Sequence, residues 1–335
     1  MALVVLVCAG GVASLVHDAQ AQECAQDHEI EPATYAVLTA AARRYLDTST
    51  QGDIAALRAN VAPAAESSLT AIGAAIQQHR AELKGTASVK RVYLLTQPPG
   101  AAGERGEFFC GVFGANGHTS DSASFRIPSL APGRYAIVFQ QIANAESSLS
   151  LALVLQESGG SGNTGTANWK IAGYYLKPSS VSGHDGEWFG TQAKDAKKKG
   201  NNYLAWLYDY MAWELQAPVN FMSTLALDRL TADVQTLSAP DLPANSPVTV
   251  SAAGKTYKLT QVFPVVDDGK LDLVVKYEVP DLANTAAVTK VNVELIRAVV
   301  AAHPELRDAF QAVVVRAVAP NGADFGTIMT MQEVK

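Results

Sequence analysis

Six histidines, three cysteines and a scatter of carboxylates are the groups through which this chain of 335 residues could do chemistry. His17, His28, His79, His118, His184 and His303 stand apart, and none has a second His, Cys or carboxylate at the spacing of a metal ligand set. Neither a metal nor a cofactor is expected. His184 and Asp185 fall in a polar joint, where Asp185 reads as the N-cap of a following helix. The sequence has no Gly-x-Ser-x-Gly elbow, no phosphate-cradling loop and no dinucleotide fingerprint. Gly111 to Gly114 and the glycine-rich run from Gly159 to Gly165 read as turns without a following helix, so no helix amides would face a phosphate. A desolvated acid or base would have to come from Asp47, Asp53, Arg91 or Glu107. Each of these reads as a charge at a helix end or strand edge, and no catalytic residue is expected.

The cysteines carry information about compartment. Ala2 to Val16 is an apolar run, too short for a comfortable membrane span, and Ala19-Gln20-Ala21 has the small-x-small form of a cleavage site. No Lys or Arg precedes the run, a departure from the usual pattern. Residues 1–21 are read as a signal peptide, with an exported mature chain beginning near Gln22. Cys8 is then removed, leaving Cys24 and Cys110 in an oxidising compartment. Two readings remain: a disulfide pinning the tail to a strand, or a mobile Cys24 and a buried free Cys110. The expectation adopted is the disulfide. Val7 before Cys8 and Glu23 before Cys24 are poor matches to a lipoprotein signal.

Composition narrows the partners. The chain is 48% hydrophobic and 17% charged with a net charge of −6, which argues against a nucleic-acid binder. Its densest basic cluster, Lys194, Lys197, Lys198 and Lys199, reads as a solvated helix end. No transmembrane span is expected in the mature chain.

The elements that must position these groups begin with helices. Tyr35, Leu38, Ala41, Ala42 and Tyr45 recur at helical spacing until Gly52. Asp53 caps a second helix through Ile54, Leu57 and Val61, and Leu69, Ile72, Ala75, Ile76 and Leu83 mark a third. Strands follow at Val89–Leu95, Phe108–Phe113, Ser124–Ile127, Arg134–Gln141 and Ser150–Gln156. The last strand, Trp169–Pro178, places Trp169, Ile171, Gly173 and Tyr175 on one face and Lys170, Ala172, Tyr174 and Leu176 on the other. Apolar residues on both sides mean that both faces are covered. Three helices, then a meander closing on this strand, resemble the NTF2-like superfamily over residues 33–178. The resemblance implies an α+β cone in which a long curved antiparallel sheet wraps three helices. It implies no activity, because that fold hosts enzymes, binding modules and interaction domains alike. Tyr45, Tyr93 and Trp169 are the candidates for lining the cone as a pocket for a small apolar ligand, with plain core packing as the alternative.

After Pro178 the chain is helical again. Ala193, Gly200, Ala205 and Ala212 resemble the small packing positions of one tetratricopeptide-like helical hairpin, at about 186–218 within a region of 184–239. Trp188, Trp206, Tyr210 and Trp213 supply its large partners. They form a face that either docks on a neighbouring domain or receives a partner protein. Pro240 to Pro247 reads as a linker, and residues 246–335 as a small α+β domain of ββαββ order. The expected protein is an exported, non-enzymatic binding or scaffolding protein of the cell envelope, its ligand a protein partner or a small apolar molecule. The competing expectation is a lyase or isomerase using the NTF2-like cavity.

Overall fold

The computed structural model describes residues 22–99, 105–145, 147–159, 168–237, 239, 241–244 and 246–334. The signal-peptide reading of residues 1–21, with Cys8 and His17, lies outside the described residues, as do Gly100, Gly103, the run 160–165 and Pro240.

Strand β1 (Glu23–Gln26) opens the described chain. Helix α1 (Pro32–Gln51) begins where Pro32 takes the first helical position and the Glu31 carboxylate accepts the N–H groups of Ala33 and Thr34. It stops at Gly52, whose φ of 73° is the left-handed conformation that glycine adopts without a Cβ penalty. Asp53 accepts the Ala56 N–H and caps α2 (Ile54–Arg58), and α3 (Leu69–Gln78) follows. Then come β2 (Thr86–Gln97), β3 (Gly106–Gly111), β4 (Ser122–Ile127), β5 (Gly133–Ala143), β6 (Ser148–Ser158) and β7 (Asn168–Pro178).

Five of these strands form an antiparallel sheet in the order β1-β2-β5-β6-β7. Both of its faces are apolar. Val92, Val138, Leu151, Leu153 and Ile171 meet the helices, chiefly Leu38, Tyr45, Leu57, Ile72 and Ile76. Tyr93, Leu95, Ile137, Phe139 and Val154 face the other way, against Phe108, Ala123 and Phe125 of β3 and β4.

The expected alternation along β7 breaks. Leu155 pairs with Ile171 while Val154 pairs with Gly173, so Ala172 is an extra residue, a β-bulge. A bulge reverses the facing of everything beyond it. Trp169, Ile171, Tyr174 and Leu176 therefore share the helix side. Ala172 and Tyr175 lie on the other, Tyr175 edge-on to Phe221.

A short hairpin of β8 (Ser180–Val181) and β9 (His184–Asp185) leads to α4 (Gly186–Lys198) and α5 (Asn202–Gln216). Asp185 caps α4 by accepting the Trp188 N–H. Ala193, Ala205 and Ala212 are buried where the helices meet. Gly200 is not a packing position: it sits in the turn between the helices at φ 81°, where a Cβ is penalised. The close approach falls at Gly186, where an added Cβ would lie 2.5 Å from Gln216 Cγ and 2.8 Å from the Ala212 carbonyl oxygen.

Strand β10 (Met222–Thr224) then crosses back to pair with β4, completing a three-stranded sheet of order β10-β4-β3. Thr224 caps α6 (Leu225–Thr236), a helix packed on α5 that the spacing of small residues did not single out.

The last part is β11 (Val248–Ala252), β12 (Lys255–Asp267), β13 (Lys270–Glu278), α7 (Thr285–Ala302), α8 (Leu306–Ala309), β14 (Ala312–Val318) and β15 (Asp324–Thr330). Three strands, not two, precede the long helix. The sheet keeps chain order, and β13 and β14 run parallel, which makes α7 a crossover connection. Asp268 and Gly269, both at positive φ, make the β12–β13 turn. Leu295, Ile296, Val299 and Val300 of α7 join one core with the sheet and with α4–α6. The architecture is α+β, and among the described strands the pairings are antiparallel apart from β13 with β14.

Candidate functional site

Tyr45 and Trp169, 1% and 2% exposed, are buried between the helices and the large sheet. The Tyr45 hydroxyl donates to the Trp169 carbonyl, and the Arg44 guanidinium lies 4.9 Å over the Tyr45 ring. Tyr93 does not share their environment. It follows Val92, so strand alternation turns it to the opposite face, edge-on to Phe125 at 4.8 Å. Burial pushes its phenol up to about 12. The sheet stands between Tyr93 and the other two, so the three do not line one pocket. Among the other charges considered, Asp53 is a helix cap, Arg91 pairs with Asp27 at 2.8 Å and Glu107 with Arg126 at 3.5 Å.

Cys24 on β1 and Cys110 on β3 form a disulfide, with their Cα atoms 5.1 Å apart. It joins the edge of the large sheet to the three-stranded sheet, and Cys110 is fully buried.

The aromatic residues of the hairpin are divided by burial. Trp206, 6% exposed, stacks on Tyr210 with ring centroids 5.4 Å apart. Trp188 is half-buried and stacks on His184 at 3.8 Å; Tyr210 and Trp213 are also half-buried against the same core. Trp206 therefore packs inside the molecule and offers no open face.

One open space lies where the parts of the chain meet. A cleft of about 660 Å³ is bounded by the end of α3, by β7 and β8, by α5 and by the β12–β13 hairpin. That volume is in the range of small-molecule sites. Lys177 Nζ donates to the Ala217 carbonyl at 3.0 Å and lies 3.3 Å from Glu214 Oε2. His79 Nδ1 lies 2.6 Å from Glu82 Oε2, and Asp267 and Asp268 stand at the hairpin rim. Tyr210 and Phe263 supply aromatic surface. Burial, and then neighbouring Glu214, hold the Tyr210 phenol above its ordinary range. Four carboxylates against one lysine make this an acidic cleft with apolar walls, suited to a cation on an apolar body.

Of these cleft residues the sequence singled out Tyr210, as one of the large partners of the helical hairpin; Lys177 and the four carboxylates did not stand out. The His79–Glu82 spacing of three on a helical segment was the one signal available. His118 and Asp228, 110 positions apart, and His303 and Asp241, 62 apart, are brought together only by the fold. Among the described residues no three His, Cys, Asp or Glu side chains group so as to hold a metal ion. No helix among them is long and apolar enough to cross a membrane. In comparisons with protein-family models, curated proteins and solved structures, nothing matches the chain.

Proposed function

We propose that this is an exported binding or scaffolding protein of the cell envelope, and that the acidic cleft is where it takes its ligand. The observation that carries this reading is the position of the cleft: the helix–sheet layer, the helical hairpin and the C-terminal sheet each supply a wall. Ligand sites favour such junctions. Export is supported by the apolar run at the start of the sequence and by the Cys24–Cys110 disulfide, a bond that persists in oxidising compartments. An NTF2-like reading of residues 33–178 is supported by three helices lying on one face of an antiparallel meander. A tetratricopeptide-like reading of α4–α5 is supported by Ala193, Ala205 and Ala212 at the helix contact. A lyase or isomerase in the helix–sheet layer has less behind it, because Tyr45, Trp169 and aliphatic side chains fill that layer.

The test is calorimetric titration with polyamines and with short peptides rich in Lys and Phe, beside acidic peptides of equal length. The cationic ligands are expected to bind, and Glu214→Gln or Tyr210→Ala to weaken them about tenfold or more. Binding of acidic peptides alone, or cationic binding unaltered in both variants, would place the site elsewhere.

A further inference from the structure

On the solvent face of the three-stranded sheet, away from the cleft, three side chains form an unbroken hydrogen-bonded line. Ser124 Oγ lies 3.1 Å from His118 Nε2, and His118 Nδ1 lies 2.7 Å from Asp228 Oδ2. The Ser223 hydroxyl donates to the other carboxylate oxygen, Oδ1. An ionised carboxylate can only accept, so Asp228 requires the proton on Nδ1. In the neutral ring that leaves the Nε2 lone pair facing the Ser124 hydroxyl. This is the nucleophile, base and orienting group of acyl transfer, recognised by geometry rather than by order in the chain.

The elements holding these groups are independent. Ser124 is on the central strand β4, in register with Phe109 on one side and Ser223 on the other. Its neighbours Ala123 and Phe125 point into the core, which fixes Ser124 outward. His118 comes from the loop before β4, and Asp228 from the first turn of α6. Ser124 is buried, 7% exposed, beneath the His118 ring to which its hydroxyl is hydrogen-bonded. Beside it, Phe109 is 59% exposed although it is aromatic. Its ring lies 5.6 Å from Phe113, which in turn lies 5.0 Å from the His118 ring. Two aromatic rings next to an activated serine are a platform for an apolar acyl group.

We propose that Ser124, His118 and Asp228 form a serine acyl-transfer site for esters of small apolar acids. Ser124 Oγ bonds to the ester carbonyl carbon while its proton moves to His118 Nε2. The bond to the leaving alkoxide breaks, and that oxygen takes the proton. Water then adds to the acyl-serine and gives its proton to Nε2. The acyl–Oγ bond breaks, the acid leaves, and the proton returns to Ser124. Ser124 and His118 are the catalytic residues; Asp228 is a positioning residue.

The whole chain is treated with an alkyl fluorophosphonate and mapped by peptide mass spectrometry. One adduct is expected on Ser124 and none on exposed Ser120. Hydrolysis of p-nitrophenyl butyrate is expected to be lost in Ser124→Ala. In Asp228→Asn it should fall about 10²–10⁴-fold in kcat with little change in KM. Phe109→Ser should raise KM for the butyrate more than for the acetate. An unlabelled Ser124, or turnover that survives in Ser124→Ala, overturns the proposal and leaves His118 as a tie between its loop and α6. Labelling uses the unaltered protein, so a variant that fails to fold does not obscure the answer.

Discussion

Asp209, buried on α5, has Asp233 as a second negative charge in its surroundings. Its carboxyl is pushed up to about 6, by burial first and by Asp233 next, with Lys197 and Lys194 opposing. An unfolded Asp titrates near about 3.9, so the folded state binds this proton more tightly. The resulting stability is fully present below about pH 4 and is lost as pH rises through about 6. A shift of this size corresponds to about 3 kcal/mol at most. Asp209→Asn is therefore expected to raise the melting temperature at pH 7.5 and to change it little at pH 3.5. Equal melting of variant and wild type at pH 7.5 would contradict the desolvated carboxylate. At the same scale, the disulfide closes a loop with a sequence separation of 86, and its removal in Cys24→Ser with Cys110→Ser should cost roughly 2–4 kcal/mol. Non-reducing peptide mapping of the oxidised protein should show Cys24 and Cys110 in one linked peptide. Two separately alkylated cysteines would rule the bond out.

At the scale of elements, the α4–α5 pair is held by small residues in one plane and a large ring in another. Ala205 is fully buried, so Ala205→Leu must force helices or rotamers apart and should cost about 1–3 kcal/mol. Gly186 is tighter still: its Cβ would meet backbone as well as Gln216, and backbone does not swing away as a side-chain end can. Gly186→Ala is expected to destabilise at least as much as Ala205→Leu, despite adding a single carbon. Trp206→Ala opens a cavity beside Tyr210 and should cost about 3–5 kcal/mol, less whatever is recovered because the buried indole N–H has no hydrogen-bond partner among the described residues. Urea denaturation measures all three; midpoints equal to wild type would show that the helices do not meet as described.

At the scale of the whole molecule, the boundaries between parts do not follow the chain. Val219, just beyond α5, is buried in the core of the two N-terminal sheets, and β10 completes one of them. The helices on either side share a core with the C-terminal sheet. Unfolding any part exposes apolar surface on another, so calorimetry should record one cooperative transition. Two well-separated peaks, with Val219→Asp moving only the lower, would mean that the parts unfold independently.

Much of the local structure was legible in the residues themselves. The 3.6-residue period of Leu38, Ala42 and Tyr45, the stop at Gly52, the caps at Asp53 and Asp185 and the turn at Asp268-Gly269 act within a few residues, and each appears where its chemistry places it. The cysteine pairing was among the readings that composition allowed. Facing and pairing were decided only by the tertiary structure. The bulge at Ala172 leaves no mark in an alternating apolar strand, yet it turns Tyr174 and Leu176 towards the helices. Tyr45 and Trp169 lost Tyr93 as a neighbour because a residue's side of a sheet depends on register with a distant strand. The cleft carboxylates, and the line from Ser124 through His118 to Asp228, join positions far apart in the chain. Contacts of that kind follow from strand pairing and core packing, which sum over the whole molecule, whereas periodicity and capping are set by the nearest few residues.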